Sequence, residues 1–171
     1  DGRLVDFPGH LARLHRSLGE LGMDAPASDA EIEAVNRELV ARNAVDEGMV
    51  YLQVTRGVAD RDFAFPVGVT PGFVAFTQAR PVVDTPSARN GIRVISTPDI
   101  RWARRDIKTV QLLAPSLCKM MAKKAGADDA WMVEDGHVTE GTSNNAYIVK
   151  DGRIITRHLG TEILHGITRA A

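Results

Sequence analysis

The sequence predicts a mixed α+β fold. Three observations carry that reading: a helical apolar stripe near the start, a capping signal for a second helix, and β-rich runs punctuated by Asp-Gly turns. Phe7, Leu11, Leu14, Leu18 and Leu21 recur at steps of four and three, which lays them along one helix face. Pro8 suits the opening turn of that helix and Gly22 its end. Ser28, followed three residues later by Glu31, forms a capping box for the second helix. Its apolar stripe is Ile32, Val35 and Leu39, and it runs to about Asn43.

Residues 49–56, 72–77 and 92–96 are β-rich. Arg80-Pro81-Val82-Val83-Asp84-Thr85-Pro86 carries two prolines and no helical period, which marks it as a linker. Beyond it, a basic and partly apolar stretch containing Lys108 leads into a helix ending near Lys124. Two strands then pair across Glu134-Asp135-Gly136, and a further hairpin turns at Asp151-Gly152. Trp102 and Trp131 are expected to pack in this β-rich part. The expected domains are residues 1–80, a linker at 81–86, and residues 87–171. No internal repeat or low-complexity tract interrupts them.

The 171 residues allow one ordinary domain or two small ones. A charged fraction of 25% beside 44% hydrophobic residues describes a soluble globular protein. The net charge of −1 gives no sign of a nucleic-acid surface. No apolar run approaches the roughly 20 residues that span a bilayer. The single cysteine, Cys118, excludes an internal disulfide framework and fits a reducing, cytoplasmic setting; a buried structural thiol is the expected reading. The start at Asp1-Gly2 and the helix only just begun at Gly166–Ala171 suggest a segment cut from a longer protein at both ends.

Three segments carry candidate chemistry. Lys108 follows Arg101, Arg104 and Arg105, and neighbouring cations with desolvation favour an uncharged amine, the form a Schiff-base nucleophile needs. The competing reading is a solvated surface lysine. Glu140 stands beside Gly141-Thr142-Ser143, a carboxylate next to a possible anion nest, or else a solvated strand-edge charge. Leu164-His165-Gly166-Ile167-Thr168-Arg169 offers amides and a hydroxyl at a helix start, which suits a phosphate, or is an ordinary first turn. His165 is read there as a simple polar residue. An imine-forming lysine, a carboxylate for a protonated ring nitrogen and two phosphate-seeking turns are together the parts list for pyridoxal 5'-phosphate. The five histidines show no metal-ligand spacing, so no metal is expected.

Asp106-Ile107-Lys108, Val138-Thr139-Glu140-Gly141-Thr142-Ser143 and Gly166-Ile167-Thr168-Arg169 resemble the class IV (fold type IV) aminotransferases. Within that family the chain most resembles the D-amino-acid aminotransferases, through Tyr51-Leu52-Gln53-Val54-Thr55-Arg56-Gly57 and Asp99-Ile100-Arg101-Trp102. The resemblance covers almost the whole chain. It implies a small α/β domain followed by a larger β-barrel-like domain, with pyridoxal phosphate between them, and a homodimer. It also implies that Lys108 forms the internal aldimine and shuttles the substrate proton, and that Glu140 pairs with the pyridine nitrogen. Arg13 would hold the cofactor phosphate with Ile167 and Thr168, while Ser143 and Asn144 line the pocket and Leu164 packs on the ring face. For Arg13, a solvated helix charge is the alternative.

On the substrate side, Arg61 matches the arginine that grips the α-carboxylate, but Phe63 stands where the family's histidine is expected. The implied activity is transamination between a D-amino acid such as D-alanine and pyruvate or 2-oxoglutarate. The alternatives are a branched-chain aminotransferase, 4-amino-4-deoxychorismate lyase, or an inactive truncated chain serving as a binding module. The expected partners are small amino and oxo acids, with no nucleic acid and no membrane.

Overall fold

The computed structural model describes residues 2–171, and the chain divides into two units, Asp1–Ala88 and Arg89–Ala171. The first unit opens with helix α1 (Phe7–Glu20). Leu11 and Leu18 of its predicted stripe are buried, and Ser17 is buried beside them. Gly22 ends it in the left-handed conformation, with Met23 N donating to Leu18 O at 2.9 Å and Gly22 N to Gly19 O at 3.0 Å, a Schellman closure.

Helix α2 (Asp29–Arg42) starts on the predicted capping box, with Glu31 N on Ser28 Oγ and Ser28 N on Glu31 Oε2. Its buried line differs from the expected stripe. Ile32 and Asn36 are buried, whereas Val35 is 41% exposed. Asn36 tolerates burial because its Nδ2 donates to Ile32 O at 2.7 Å, so the side chain satisfies its polarity within the helix. His15 of α1 reaches Asp29 at the start of α2, 2.6 Å away.

Strands β1 (Gly48–Thr55) and β2 (Gly72–Ala79) pair antiparallel over their full length. Tyr51 stacks on Phe76 across the pair at 4.8 Å. The intervening residues 56–71 form a long connection that is anchored at its start, because Arg56 donates to Leu21 O and Gly22 O and lies over the Phe65 ring at 3.5 Å. A short helix, α3 (Pro86–Asn90), spans the boundary between the units. Apolar periodicity carried no sign of it. Its local cause is Thr85, whose Oγ1 accepts from Ala88 N, followed by proline at the first helical position.

In the second unit, strand β3 (Val94–Pro98) lies two residues later than the predicted run. It pairs in parallel with β4 (Asp129–Glu134), and helix α4 (Leu113–Lys124) supplies the crossover. Strand β5 (His137–Gly141) pairs antiparallel with β4 through the predicted Asp135-Gly136 turn, giving the order β3-β4-β5. Cys118 and Ala122 of α4 pack with Ala127, Ala130 and Met132 in the core of this unit, as expected for a buried thiol. Trp131 alternates with Ala130 and Met132 and therefore falls on the other sheet face. It is 37% exposed, as is Trp102, so both tryptophans lie in the β-rich part but outside its buried core. Strands β6 (Tyr147–Lys150) and β7 (Arg153–Thr156) form the second predicted hairpin, turning at Asp151-Gly152. Helix α5 (Ile167–Ala170) ends the chain. No helix among the described residues is long and apolar enough to cross a membrane.

Candidate active site

The second unit builds its polar centre at the end of β5. Glu140 is buried there, 4% exposed, with Thr139 buried beside it. Asn145 Nδ2 donates to Glu140 Oε1 at 2.7 Å and to Leu164 O at 2.9 Å. Arg101 Nη1 donates to Glu140 Oε2. Burial pushes the Glu140 carboxyl above its usual range, and the Arg101 contact only partly opposes that. The strand-edge reading of Glu140 as a solvated charge is therefore set aside.

Arg101 is held in turn by Asp99, which accepts from Nε at 3.0 Å and from Nη2 at 2.6 Å. Burial works against ionisation of Asp99, but hydrogen bonds from Arg101 and Thr139 outweigh it and hold its carboxyl low. Arg105 is also buried. It forks onto Glu134 at 2.7 and 2.8 Å, approaches Asp99 at 3.6 Å, and its backbone N donates to Thr161 O at 2.9 Å. That last bond ties the segment before Lys108 to the segment before Leu164.

Lys108 lies in the irregular segment between β3 and α4, exposed, directly after buried Asp106 and Ile107. The three arginines upstream do not form a bare positive cluster. Arg101 pairs with Asp99 and Glu140, Arg104 with Asp106, and Arg105 with Glu134.

Ser143 and Asn144 are exposed in the turn after Glu140, and Gly141 N donates to Asn144 O at 2.8 Å. Gly141 has no side chain to obstruct this turn; a Cβ there would meet Asn144 Oδ1 at 2.4 Å. Leu164 is half-buried. Ile167 and Thr168 open α5 behind Gly166, with Ile167 half-buried and Thr168 exposed. A Cβ on Gly166 would meet Asn145 Oδ1 at 2.0 Å, so glycine permits the close approach of this turn to Asn145. His165 Nε2 lies 3.1 Å from Gly160 O.

Two predicted residues belong to the first unit. Arg13 is half-buried on α1, 3.4 Å from His10 Nδ1, and burial lowers its pKa from the ordinary arginine value. Arg61 is exposed in the 56–71 connection, its guanidinium 5.4 Å from the Phe63 ring centre. Asp62 does not pair with it in this arrangement; its Oδ1 accepts from Phe63 N at 2.6 Å and from Ala64 N at 3.3 Å.

All of residues 1–171 match the family described as Amino-transferase class IV. The chain belongs to that family. A relative, the D-alanine aminotransferase of Bacillus licheniformis, is 41% identical over 171 residues, covering 99% of this chain and 59% of its own length. This class IV chain thus spans about three-fifths of the length of the relatives it matches. Among solved structures, a putative 4-amino-4-deoxychorismate lyase from Legionella pneumophila superposes with TM-score 0.81 at 26% identity, covering 96% of this chain and 60% of that one. A branched-chain amino acid aminotransferase from T.th., complexed with N-(5'-phosphopyridoxyl)-L-glutamate, gives TM-score 0.78 at 26% identity, over 96% and 55%. The architecture is that of the fold type IV aminotransferases.

Sequence reasoning brought Glu140, Leu164 and the 166–168 turn into one group, and Asn145 links these three in space. Asn145 itself was missed, as were Asp99, Arg101 and Arg105 as parts of a site. A usable signal for the first pair was Asp99-Ile100-Arg101, since residues two apart in an extended segment share a face. Asn145 had no such signal within its Thr-Ser-Asn-Asn run.

Proposed function

We propose that this class IV aminotransferase uses pyridoxal phosphate to move an amino group between a D-amino acid such as D-alanine and a 2-oxo acid, pyruvate or 2-oxoglutarate. The observation that carries the reading is the 41% identity to D-alanine aminotransferase along 99% of the chain. The site's chemistry supports the cofactor. Among the described residues, Asp99, Glu134 and Glu140 pair with the guanidiniums of Arg101 and Arg105, which sets three carboxyls against two cations. A buried carboxylate whose ionisation is disfavoured gains from a cation, and a protonated ring nitrogen supplies one.

When bound, pyridoxal phosphate supplies a conjugated electron sink for the electron pair left as a proton leaves the substrate Cα. Lys108 would be the covalent anchor, and its Nζ would take that proton and return it. Glu140 would accept from the ring N–H. Arg13, Ile167 and Thr168 would hold the phosphate, Ser143 and Asn144 would line the pocket, and Leu164 would pack against the ring. Arg61 binds the substrate carboxylate by charge-assisted hydrogen bonds. The working form is a homodimer in a reducing, cytoplasmic setting. The domains are residues 1–80 and 87–171, joined by the proline-bearing segment 81–86.

Phe63 favours a second reading. An apolar ring beside Arg61 replaces a histidine donor, which suits an apolar side chain better than the carboxylate of a small D-amino acid and points to a branched-chain amino donor. Amino-donor assays on the full-length chain with D-alanine, L-leucine and 4-amino-4-deoxychorismate separate the readings. Turnover of D-alanine is expected; turnover of L-leucine or release of pyruvate from the chorismate, without D-alanine turnover, overturns the first.

A further inference from the structure

Glu140 is gripped from two sides, and the two grips differ in charge. Asn145 donates a neutral hydrogen bond to Oε1 at 2.7 Å, whereas Arg101 donates a cationic one to Oε2. Arg101 is oriented for this by Asp99, which occupies its Nε and Nη2 edge in a bidentate pair at 3.0 and 2.6 Å and leaves Nη1 pointing to Glu140. The side chains are 12% exposed for Arg101, 0% for Asp99 and 6% for Glu140, so water screens these charges poorly. Asp99 is itself fixed by Thr139 Oγ1, which donates to Oδ2 at 2.5 Å, and by Arg105 at 3.6 Å.

A carboxyl this buried drifts toward its neutral form, and a neutral acid opposite a pyridine nitrogen gives up the pairing with a ring cation. A guanidinium on Oε2 opposes that drift, because it stabilises the anion without competing for Oε1, the oxygen that faces Asn145. We infer that Arg101, oriented by Asp99, is a positioning residue that keeps Glu140 anionic and so leaves the proton on the ring nitrogen of bound pyridoxal phosphate. This rests on the pyridoxal-phosphate reading above. The residue acts through Glu140 and touches neither ring nor substrate in this role.

The test is the nitrogen-15 NMR signal of ring-labelled pyridoxal phosphate bound to the full-length chain, together with its dissociation constant. In the unmodified protein the signal should report a protonated ring. Arg101→Met should move it toward neutral pyridine and weaken cofactor binding about tenfold, the size of one charge-assisted hydrogen bond. Arg101→Lys keeps the charge and should hold the signal on the protonated side. Arg101→Met leaves Asp99 buried without its main partner, so the double variant Asp99→Asn/Arg101→Met removes both charges together and should show the same shift. A cofactor-loaded Arg101→Met or double variant whose ring stays protonated overturns the inference while leaving the cofactor reading intact. An unmodified protein that binds no pyridoxal phosphate overturns both.

Discussion

Replacing Glu140 by glutamine should change the stability of the cofactor-free fold little while weakening cofactor binding. Glutamine keeps the volume and one acceptor oxygen for Arg101, which retains its bidentate pair with Asp99. The glutamine amide NH2, however, meets the Asn145 donor, a loss of about one hydrogen bond. What disappears is an ionisation that burial disfavours. Because the folded carboxyl is raised above its unfolded value, the stabilisation it contributes is present on the acid side and lost as pH rises through the raised value. The stability of Glu140→Gln relative to the unmodified chain should therefore rise from acid toward neutral pH. Asp99 and Asp129 are held low and have the opposite sign, with stability lost on acidification, but they are common to both proteins and cancel. With cofactor present, the variant forfeits a charge-assisted hydrogen bond to the ring, about 1.5–3 kcal/mol, or roughly ten- to a hundredfold in dissociation constant. Urea denaturation of the full-length chain, with and without pyridoxal phosphate at several pH values, measures both quantities. A cofactor-free variant less stable by more than about 2 kcal/mol at neutral pH, or one that binds cofactor as before, would overturn this expectation.

Met132 is fully buried against Cys118 and Ala122, so Met132→Ala should cost about 2–5 kcal/mol, read as a lower urea midpoint; a loss below about 1 kcal/mol would show the core can close over the void. Gly166→Ala places a Cβ 2.0 Å from Asn145 Oδ1 and must displace the link between Glu140 and the Leu164 segment. Cofactor affinity measured by equilibrium dialysis should fall, and unchanged affinity would mean that the turn does not depend on this approach. Phe63→His restores a donor beside Arg61 and should lower KM for D-alanine about tenfold with little change in kcat; an unchanged KM would place the carboxylate elsewhere.

Local signals were legible in the sequence because their causes are local. The Ser28 capping box, the Gly22 stop and both Asp-Gly hairpins each depend on a few adjacent residues, and each appears where the pattern puts it. Pairing across distance was not legible. The parallel β3–β4 ladder joins residues through a helical crossover, and nothing in either strand announces its partner. The buried line of α2 passes through Asn36 instead of Val35, since a satisfied amide buries as well as a methyl group. The candidate site divides in the same way. Glu140 stood out in its motif, but its bonding to Arg101, 39 positions away, and the linkage of Asn145 to Leu164 exist only in the folded chain. The basic run before Lys108 looked like a cluster of bare cations because its carboxylate partners include Glu134 and Glu140 from the strands beyond α4.

Whether Lys108 anchors pyridoxal phosphate is read out by covalent trapping. The full-length chain is incubated with pyridoxal phosphate, reduced with borohydride and mapped by peptide mass spectrometry, with and without prior D-alanine. A pyridoxyl group is expected on Lys108, and its loss when D-alanine is added first. Label on another lysine, or no label from a folded protein, contradicts it.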